Sequence, residues 1–304
     1  MLFDAQVALG FAVEQASKIE AEVYKTKYPA VRYPELVPVD TSGPAFISSV
    51  TYFSSDRVGR AQWQNGRAGD VHNVGLTRTK HQVGVEMAAI GYDWSIDEIE
   101  HARLLGMDLG ADKADAARRT AEEFVDEVAL FGDAAKGFEG LTNASSVPVS
   151  SAPEVLATAT PDEALAIVNG AISGVWLDSA QTEMADTLVL PVAAHVSLAT
   201  RRLNDLSGTT ILGWIRENNV FTMETGRPLT IRGLRGLETA GGAGASRLIA
   251  YRRAPDVLKL HMPLPFRFFP VRQASAFTFE VPGAFRLGGV DVRLPKAFRY
   301  VDGV

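Results

Sequence analysis

The stretch Asp93–Asp133 reads DWSIDEIEHARLLGMDLGADKADAARRTAEEFVDEVALFGD, and its pattern predicts a pair of helices. Ser95 is a suitable N-cap, and Glu98 lies three residues further on, which is the spacing of a capping box. These two residues predict that the first helix begins just after Ser95 and continues to about Leu105.

The second helix of this stretch is the longest that the sequence predicts. It follows a turn bracketed by Gly106 and Gly110, begins at about Ala111 and ends at Gly132. With a rise of about 1.5 Å per residue, it would be roughly 30 Å long. Apolar residues spaced alternately three and four apart predict one buried stripe: Ala114, Ala117, Ala121, Phe124, Val128 and Phe131.

The other face of this stretch is charged. Residues 93–133 contain twelve acidic and four basic side chains, a net charge of −8. A solvated surface and a surface covered by something basic both fit this run, and the sequence leaves the two interpretations open.

Composition limits the class of protein. The chain has 304 residues, 46% of them hydrophobic and 22% charged, which is enough for one large core or two small ones. It has no cysteine, which excludes disulfides and a thiol nucleophile and is consistent with a reducing compartment. The N-terminal residues do not follow a signal-peptide pattern, and no apolar run approaches the ~20 residues of a membrane span. The net charge of −6 gives no overall basic footprint for nucleic acid.

Residues 46–92 predict a long β-hairpin. Partly alternating apolar runs flank a polar, glycine-rich segment that contains an Asn65-Gly66 turn signal. Such a projection has too few apolar residues to form its own core, so we expect another molecule to hold it. Residues 51–81 also carry a net charge of +3, and Trp63 near the tip would suit a contact between subunits.

The flanking segments predict further elements. Residues 1–30 have the pattern of an amphipathic helix, and a proline-punctuated extended segment follows to Pro44. Residues 145–153 are expected to be poor in structure and to mark a domain boundary. Residues 160–220 then alternate helix and strand, and residues 221–304 are predicted to be rich in β-structure.

Motifs that carry chemistry are scarce. Gly241–Ser246 is rich in glycine, but no lysine follows in the register of a phosphate-binding P-loop. The five histidines form no metal-ligand pair, and there is no Gly-x-Ser-x-Gly nucleophile motif. We therefore predict no catalytic residue, no cofactor and no metal, and a structural protein becomes the leading interpretation.

The order of these elements resembles the major capsid protein of tailed bacteriophages, whose fold is shared with encapsulins. The resemblance covers nearly the whole chain. It is carried by the return of the hairpin into 91–99, the Leu-Leu-Gly-Met-Asp-Leu-Gly break at 104–110, the helix end at 127–133, Gly140-Leu-Thr-Asn143 and the closing residues 294–301.

The resemblance implies an α+β fold of four parts. These are an N-terminal arm (1–45), an extended hairpin loop (46–92), a peripheral domain with a long spine helix (93–153 and 255–304) and an axial α/β domain (154–254). It further implies a major capsid protein that self-assembles, through hexamers and pentamers, into the icosahedral shell around a viral dsDNA genome. The expected location is the virion, after synthesis in the cytoplasm of a host bacterium.

The same resemblance implies partners. In the family, the extended loop of one subunit lies over the spine region of a neighbour, and here the two segments have opposite charge. We expect Trp63 to be buried between subunits and basic residues of the loop to face acidic residues of the spine helix. The residues concerned are Arg57, Arg60 and Arg67 on the loop, and Glu122, Glu123, Asp126 and Glu127 on the helix.

Other partners and two alternative functions remain open. A spine helix only about 110 residues from the N-terminus leaves no room for a large built-in scaffold, so either a separate scaffolding protein is implied or none is needed. Decoration and portal proteins are further expected partners. Non-specific contact with packaged DNA is a further expectation. The alternatives are an encapsulin-like nanocompartment shell, which neighbouring genes would distinguish, and a soluble α/β enzyme, which would need a pocket with converging titratable groups.

Overall fold

The computed structural model describes residues 28–61, 63, 73–105, 109–204 and 208–304. Most of the helix predicted for residues 1–30 therefore lies outside the described residues. The α-helices in the described ranges are α1 (Tyr33–Leu36), α2 (Ile96–Leu105), α3 (Leu109–Phe131), α4 (Pro161–Asp178), α5 (Val192–Thr200), α6 (Ile211–Glu217) and α7 (Val220–Thr225).

The β-strands belong to five sheets in these ranges. The strands are β1 (Val39–Asp40), β2 (Ser49–Val58), β3 (Gly75–Gly84), β4 (Glu86–Ala89), β5 (Tyr92–Ser95), β6 (Val149–Ser151), β7 (Thr187–Pro191), β8 (Thr230–Leu234), β9 (Arg247–Tyr251), β10 (Leu258–His261), β11 (Leu264–Phe268), β12 (Arg272–Ser275), β13 (Thr278–Val281), β14 (Gly283–Leu287), β15 (Val290–Val292) and β16 (Phe298–Asp302).

The largest sheet has the strand order β6-β16-β9-β7-β8 and is buried on both faces. Side chains alternate along β9, so that Ile249 and Tyr251 enter one hydrophobic core while Leu248 and Ala250 enter a second. Every residue of β7 and β9 is buried. This sheet is therefore the layer that both cores share.

The first core contains the spine helix α3. Its buried residues Ala121, Val125 and Val128 belong to the same cluster as Tyr251 and Phe298 of the sheet. The rings of Tyr251 and Phe298 stack with centroids 4.9 Å apart. The second core lies on the opposite face and consists mainly of α4, α6 and the inner residues of β7 and β8.

The two helices predicted from Asp93–Asp133 are confirmed. The Glu98 side chain accepts a hydrogen bond from the Ser95 N–H at 3.0 Å, and the Ser95 hydroxyl accepts one from the Glu98 N–H at 3.1 Å, so the capping box forms. The spine helix begins two residues earlier than expected and ends at Phe131. Gly132 follows with φ of 76°, the left-handed conformation that favours glycine.

The predicted stripe of the spine helix is correct at its centre but wrong at one residue. Ala117, Ala121 and Val128 are buried, whereas Phe124 is 42% exposed and Val125 is buried in its place. A helix turns about 100° per residue, so Val125 lies one turn beyond Ala121 and continues the buried line. Phe124 lies at the edge of this line, where its ring meets Phe285 edge-on at 5.8 Å.

The proline-rich segment is more regular than the sequence suggested. It contains α1, in which Pro34 occupies a position in the first turn that proline tolerates, and β1, which pairs in parallel with β10. Leu36 is buried, and its carbonyl accepts a hydrogen bond from the Tyr251 hydroxyl at 2.8 Å. The sequence predicts an extended segment, and long-range contacts add this short helix and strand to it.

Two other local expectations were also wrong. The segment 145–153 contains β6, which pairs in parallel with β16. The start of the predicted β-rich region is the helix α7, whose N-cap Asn219 accepts a hydrogen bond from the Thr222 N–H at 2.8 Å. This helix has only six residues.

The glycine-rich loop Gly241–Ser246 encloses a carboxylate of its own chain. One oxygen of Asp302 accepts a hydrogen bond from the Gly242 N–H, and both oxygens accept from the Arg247 guanidinium at 2.7 and 2.8 Å. Arg247 also donates to the Thr142 carbonyl and lies over the Tyr300 ring. Arg247 at the start of β9 therefore ties the sheet to the segment that follows the spine helix. None of the helices in the described ranges is long and apolar enough to cross a membrane.

We expect Asp302→Asn to lower the free energy of unfolding of the subunit by about 3 kcal/mol, because removing one partner of a buried ion pair leaves the other charge uncompensated. Chemical denaturation of unassembled protein followed by circular dichroism measures this value. The control is Glu280→Gln, which breaks the exposed pair with Arg272 and should cost less than ~1 kcal/mol. Equal losses in the two variants would contradict the role of the buried pair.

The contribution of Asp302 to the free energy of unfolding should also depend on pH. Burial alone would raise the pKa of Asp302, but hydrogen bonds from Arg247 and Gly242 and the charge of Arg247 hold that pKa below its ordinary value. A carboxylate with a depressed pKa stabilises the fold fully above its unfolded-state pKa and loses this effect as the pH falls through its folded-state pKa. We therefore expect the stability difference between wild type and Asp302→Asn to be constant at neutral pH and to shrink below about pH 4.

Candidate functional site

The hairpin ribbon, formed by β2 and β3, is the part of the molecule that its own subunit supports least. Ten residues of each strand pair without a register shift, from Ser49 opposite Gly84 to Val58 opposite Gly75. The strands pack along each other, and almost all of their side chains are exposed. The predicted hairpin is thus confirmed, although β4 and β5, which belonged to the same prediction, pair with β14 and β13 in the body.

The register gives the ribbon two chemically different faces. Residues directly opposite each other in an antiparallel pair point to the same side, and successive residues alternate. One side, which we call the basic face, consists of Phe53, Ser55, Arg57, Leu76, Arg78 and Lys80. The other side has Asp56, Ser54 and two threonines, with Tyr52 stacked on His81 near the root at 4.9 Å.

The basic face combines cations with exposed apolar groups. Phe53 is 66% exposed and Leu76 is 64% exposed, which is unusual for large side chains on a strand. Arg57, Arg78 and Lys80 form no salt bridge with any residue in the described ranges. The face therefore offers both unpaired positive charge and apolar area to a partner.

The loop residues singled out from the sequence are placed as follows. Arg57 lies on the basic face, and Arg60 follows the strand with its side chain exposed. Trp63 is fully exposed in the single subunit. Arg67 lies outside the described residues. Sequence reasoning missed Arg78 and Lys80, which lie on the returning strand on the side of Arg57.

The acidic residues singled out on the spine helix divide into two groups. Glu122 and Glu127 are exposed, and Glu123 is half-buried and pairs with Arg119 at 2.8 Å. Asp126 is only 3% exposed. One of its oxygens accepts hydrogen bonds from the N–H groups of Arg32 and Tyr33, both at 2.7 Å. Asp126 therefore fastens the N-terminal arm to the helix within the subunit and is not a surface charge.

Titratable groups in the described ranges do not converge on a reactive centre. No group of three or more His, Asp or Glu residues could hold a metal ion in this part of the chain. His261 is buried, with Asp291 3.2 Å and Asp40 3.8 Å from its ring nitrogens, and these residues join neighbouring strands. Burial, followed by the charges of Arg216 and Arg232, lowers the pKa of His195, which has no carboxylate partner in the described salt bridges.

A cleft of about 390 Å³ lies between the root of the ribbon and the body. It is lined by residues 81–84 of β3 on one side and by 136–139 and 289–292 on the other. It is open and mostly polar, with the exposed pair Lys136 and Glu86 at 3.7 Å across it. The geometry shows a separation between the ribbon and the body rather than an enclosed binding pocket.

Comparison with known proteins identifies the family. A family model described as "Major capsid protein" matches residues 59–304. The chain belongs to the major capsid protein family. No curated protein matches the chain.

Solved structures with the same fold are capsids and a related particle. The capsid of Myoviridae Phage XM1 matches with a TM-score of 0.80 at 20% identity, over 96% of this chain and 98% of that one. The capsid of an empty GTA particle matches with a TM-score of 0.63 at 11% identity, over 97% of both chains. A virus-like particle from Pyrococcus furiosus matches with a TM-score of 0.55 at 14% identity, over 88% of this chain and 91% of that one.

These findings confirm the predicted fold class and the structural role. The chain has the α+β fold of phage capsid proteins, and as a major capsid protein it forms the shell of a phage head. Its copies self-assemble into oligomeric shells, and its location is the virion. The exposed ribbon and the acidic spine helix therefore belong to a subunit whose surfaces are used for assembly.

Two adjacent residues of the spine helix, Asp126 and Glu127, can test the distinction between buried and exposed acidic side chains. We expect Asp126→Ala to lower the free energy of unfolding of the subunit by about 2 kcal/mol, because two backbone N–H groups lose a charged acceptor. Glu127→Ala, one position along and exposed, should change it by no more than ~0.5 kcal/mol. Denaturation of unassembled protein gives both values. A loss at Glu127 as large as at Asp126 would contradict the assignment.

Proposed function

We propose that the basic face of the ribbon of one subunit lies on the outer surface of the spine helix of a neighbour, and that this contact builds hexamers and pentamers into a closed shell. The observation that carries the proposal is the ribbon itself. It presents cations and large apolar groups on one side, and in the described part of the subunit the cations have no salt-bridge partner and the apolar groups are exposed.

The apolar part of this face favours a protein partner over water. Phe53 and Leu76 flank the cations, and burying a large apolar side chain is worth about 1.5–3 kcal/mol. Trp63 would add a larger area near the tip, where it is fully exposed in one subunit. A second copy of the chain is the partner that a shell provides at every position.

The charges would set the direction of docking. Glu122, Glu123 and Glu127 lie on the outer part of the spine helix, and Asp126 is left out because it is buried. An exposed ion pair contributes only ~0–1 kcal/mol, so these pairs act mainly on approach and register. Because a shell repeats each contact many times, even a small free energy per contact affects the yield of closed particles.

The four-part division belongs to the same proposal. Residues 154–254 supply most of the second core, which supports an axial domain that meets other copies at capsomer centres. The spine helix and residues 255–304 contribute to the first core, as expected of a peripheral domain. The remaining parts are the N-terminal arm (1–45) and the extended loop (46–92).

Further partners complete the proposal. Family membership supports scaffolding, decoration or portal proteins as additional partners, non-specific contact with packaged dsDNA, and synthesis in the cytoplasm of the host. Mass spectrometry of purified particles and of assembly intermediates tests the protein partners. A particle that contains this chain with neither a portal protein nor DNA would count against a genome-packaging head.

Removing the outer part of the ribbon should separate folding from assembly. Ser55 and Arg78 are directly opposite each other, so deleting residues 55–78 leaves Ser54 opposite Thr79, where an Asn-Gly pair can close the strands with a two-residue turn. We expect a folded subunit that forms no closed shells, as judged by circular dichroism and electron microscopy. Loss of the fold would show that the segment packs within its own subunit.

Charge reversal tests the proposed pairing directly. We expect Arg57→Glu with Arg78→Glu to slow assembly, more strongly at low salt, because exposed charges are screened beyond ~8 Å at 0.15 M salt. Adding Glu122→Lys and Glu127→Lys to the same chain inverts both surfaces and should restore the rate. Light scattering and electron microscopy measure the rate and the product.

The matched control is Lys296→Glu with Arg235→Glu, which changes the net charge equally at exposed residues away from the ribbon. This control should assemble at close to the wild-type rate. Equal slowing by the control, or no recovery in the fourfold variant, would count against pairing between the ribbon and the spine helix.

A further inference from the structure

The ribbon is held to its subunit near one aromatic side chain. Tyr52 is half-buried at the root, with its ring stacked on His81 of the paired strand. The Arg293 guanidinium lies over the same ring, 4.4 Å from its centroid. Burial, followed by the charge of Asp291, raises the pKa of the Tyr52 hydroxyl. Beyond Tyr52 every described strand residue of β2 is exposed. Tyr52 is thus the outermost residue of β2 that the body holds.

Arg293, which lies over Tyr52, is itself positioned by buried residues of the body. The Nε of Arg293 donates to Asp291 at 3.0 Å, and the same carboxylate oxygen lies 3.2 Å from Nε2 of His261. Asp291 and His261 are both almost completely buried. A continuous set of contacts therefore runs from the buried sheet β1-β10-β15 to the root of the ribbon.

The surroundings of the root would allow the ribbon to tilt. The cleft of about 390 Å³ separates residues 81–84 of β3 from the body on one side. A strand of ten residues spans about 33 Å, so a tilt of only about 5° at the root moves the tip by roughly 3 Å. A displacement of this size is comparable to the length of an ion pair, and it would change which residues of a neighbour the basic face meets.

We propose that Tyr52 and Arg293 are positioning residues that fix the angle at which the ribbon leaves the subunit, with Asp291 and His261 holding Arg293 in place. The cation over one side of the ring and the stacked His81 together restrain the plane of Tyr52. The consequence of this angle for shell geometry rests on the proposed docking of the ribbon on a neighbour. The effect on the single subunit does not.

The first part of the test measures the angle in unassembled protein. The chain has no cysteine, so Ser55→Cys on the ribbon and Ala116→Cys on the spine helix give two unique sites for spin labels. Pulsed electron–electron double resonance then measures the distribution of distances between the label on the ribbon and the label on the body. We expect one narrow peak in the otherwise wild-type chain and a broadened or shifted distribution in Arg293→Gln and in Tyr52→Leu.

Two further variants separate positioning from general stability. Tyr52→Phe keeps the ring under the guanidinium but loses the hydroxyl, so it should retain most of the narrow peak. Arg272→Gln removes an exposed arginine that pairs with Glu280 elsewhere on the surface, and should leave the distribution unchanged. Tyr52→Leu leaves the buried Asp291 and His261 pair intact, so it remains informative if Arg293→Gln proves unstable. An unchanged distribution in folded Tyr52→Leu overturns the proposal.

The second part examines the shells that the unlabelled variants form. If the ribbon docks on a neighbour, Tyr52→Leu should give particles of several diameters or open sheets where the wild type gives one size, as seen by electron microscopy. A broadened distance distribution with wild-type shells would confirm positioning and contradict the docking proposal. Altered shells with an unchanged distribution would contradict positioning and leave docking in place.

Discussion

Burial of both faces of one five-stranded sheet is the constraint on which the rest of the subunit depends. Because side chains alternate along a strand, β9 can place Tyr251 in one core and Ala250 in the other. The spine helix belongs to one core and α4 to the other, so the sheet couples both layers into one body. At the end of β16, the buried pair of Asp302 and Arg247 joins the sheet to Thr142 beyond the spine helix.

A body built in this way can carry a projection that has no core of its own. The ribbon needs only its ladder of backbone hydrogen bonds and a fixed root, and the root rests on β15, whose partner β10 is buried. The cations of the ribbon have no carboxylate partner in the described part of the subunit, so a neighbour can use their full electrostatic attraction during approach. Ion pairs between these cations and carboxylates of the same subunit would stabilise the subunit, but they would leave less charge for the proposed contact with a neighbour.

Local signals in the sequence predicted local structure, and long-range contacts decided the rest. The capping box at Ser95 and the stop at Gly132 depend on a few neighbouring residues and were predicted correctly. A two-residue turn at Asn65-Gly66 would pair Arg57 with Val74, whereas its observed partner is Leu76. A shift of two residues keeps each side chain on its face. The members of the basic face could therefore have been predicted from the sequence, although the strand register could not.

The spine helix shows why composition alone could not assign the acidic residues. Asp126 and Glu127 are adjacent and have the same charge, but about 100° of helical rotation separates them. That rotation places Asp126 under the N-terminal arm, where two backbone N–H groups need an acceptor, and leaves Glu127 in solvent. The position of the chain around Arg32 and Tyr33 depends on β1, which pairs with a strand more than two hundred residues away. From the sequence alone, nothing distinguishes the burial of Asp126 from that of Glu127. The net charge of this stretch therefore overstates the charge at the helix surface, and the outward residues Glu122, Glu123 and Glu127 are the ones available to the proposed contact with a neighbour.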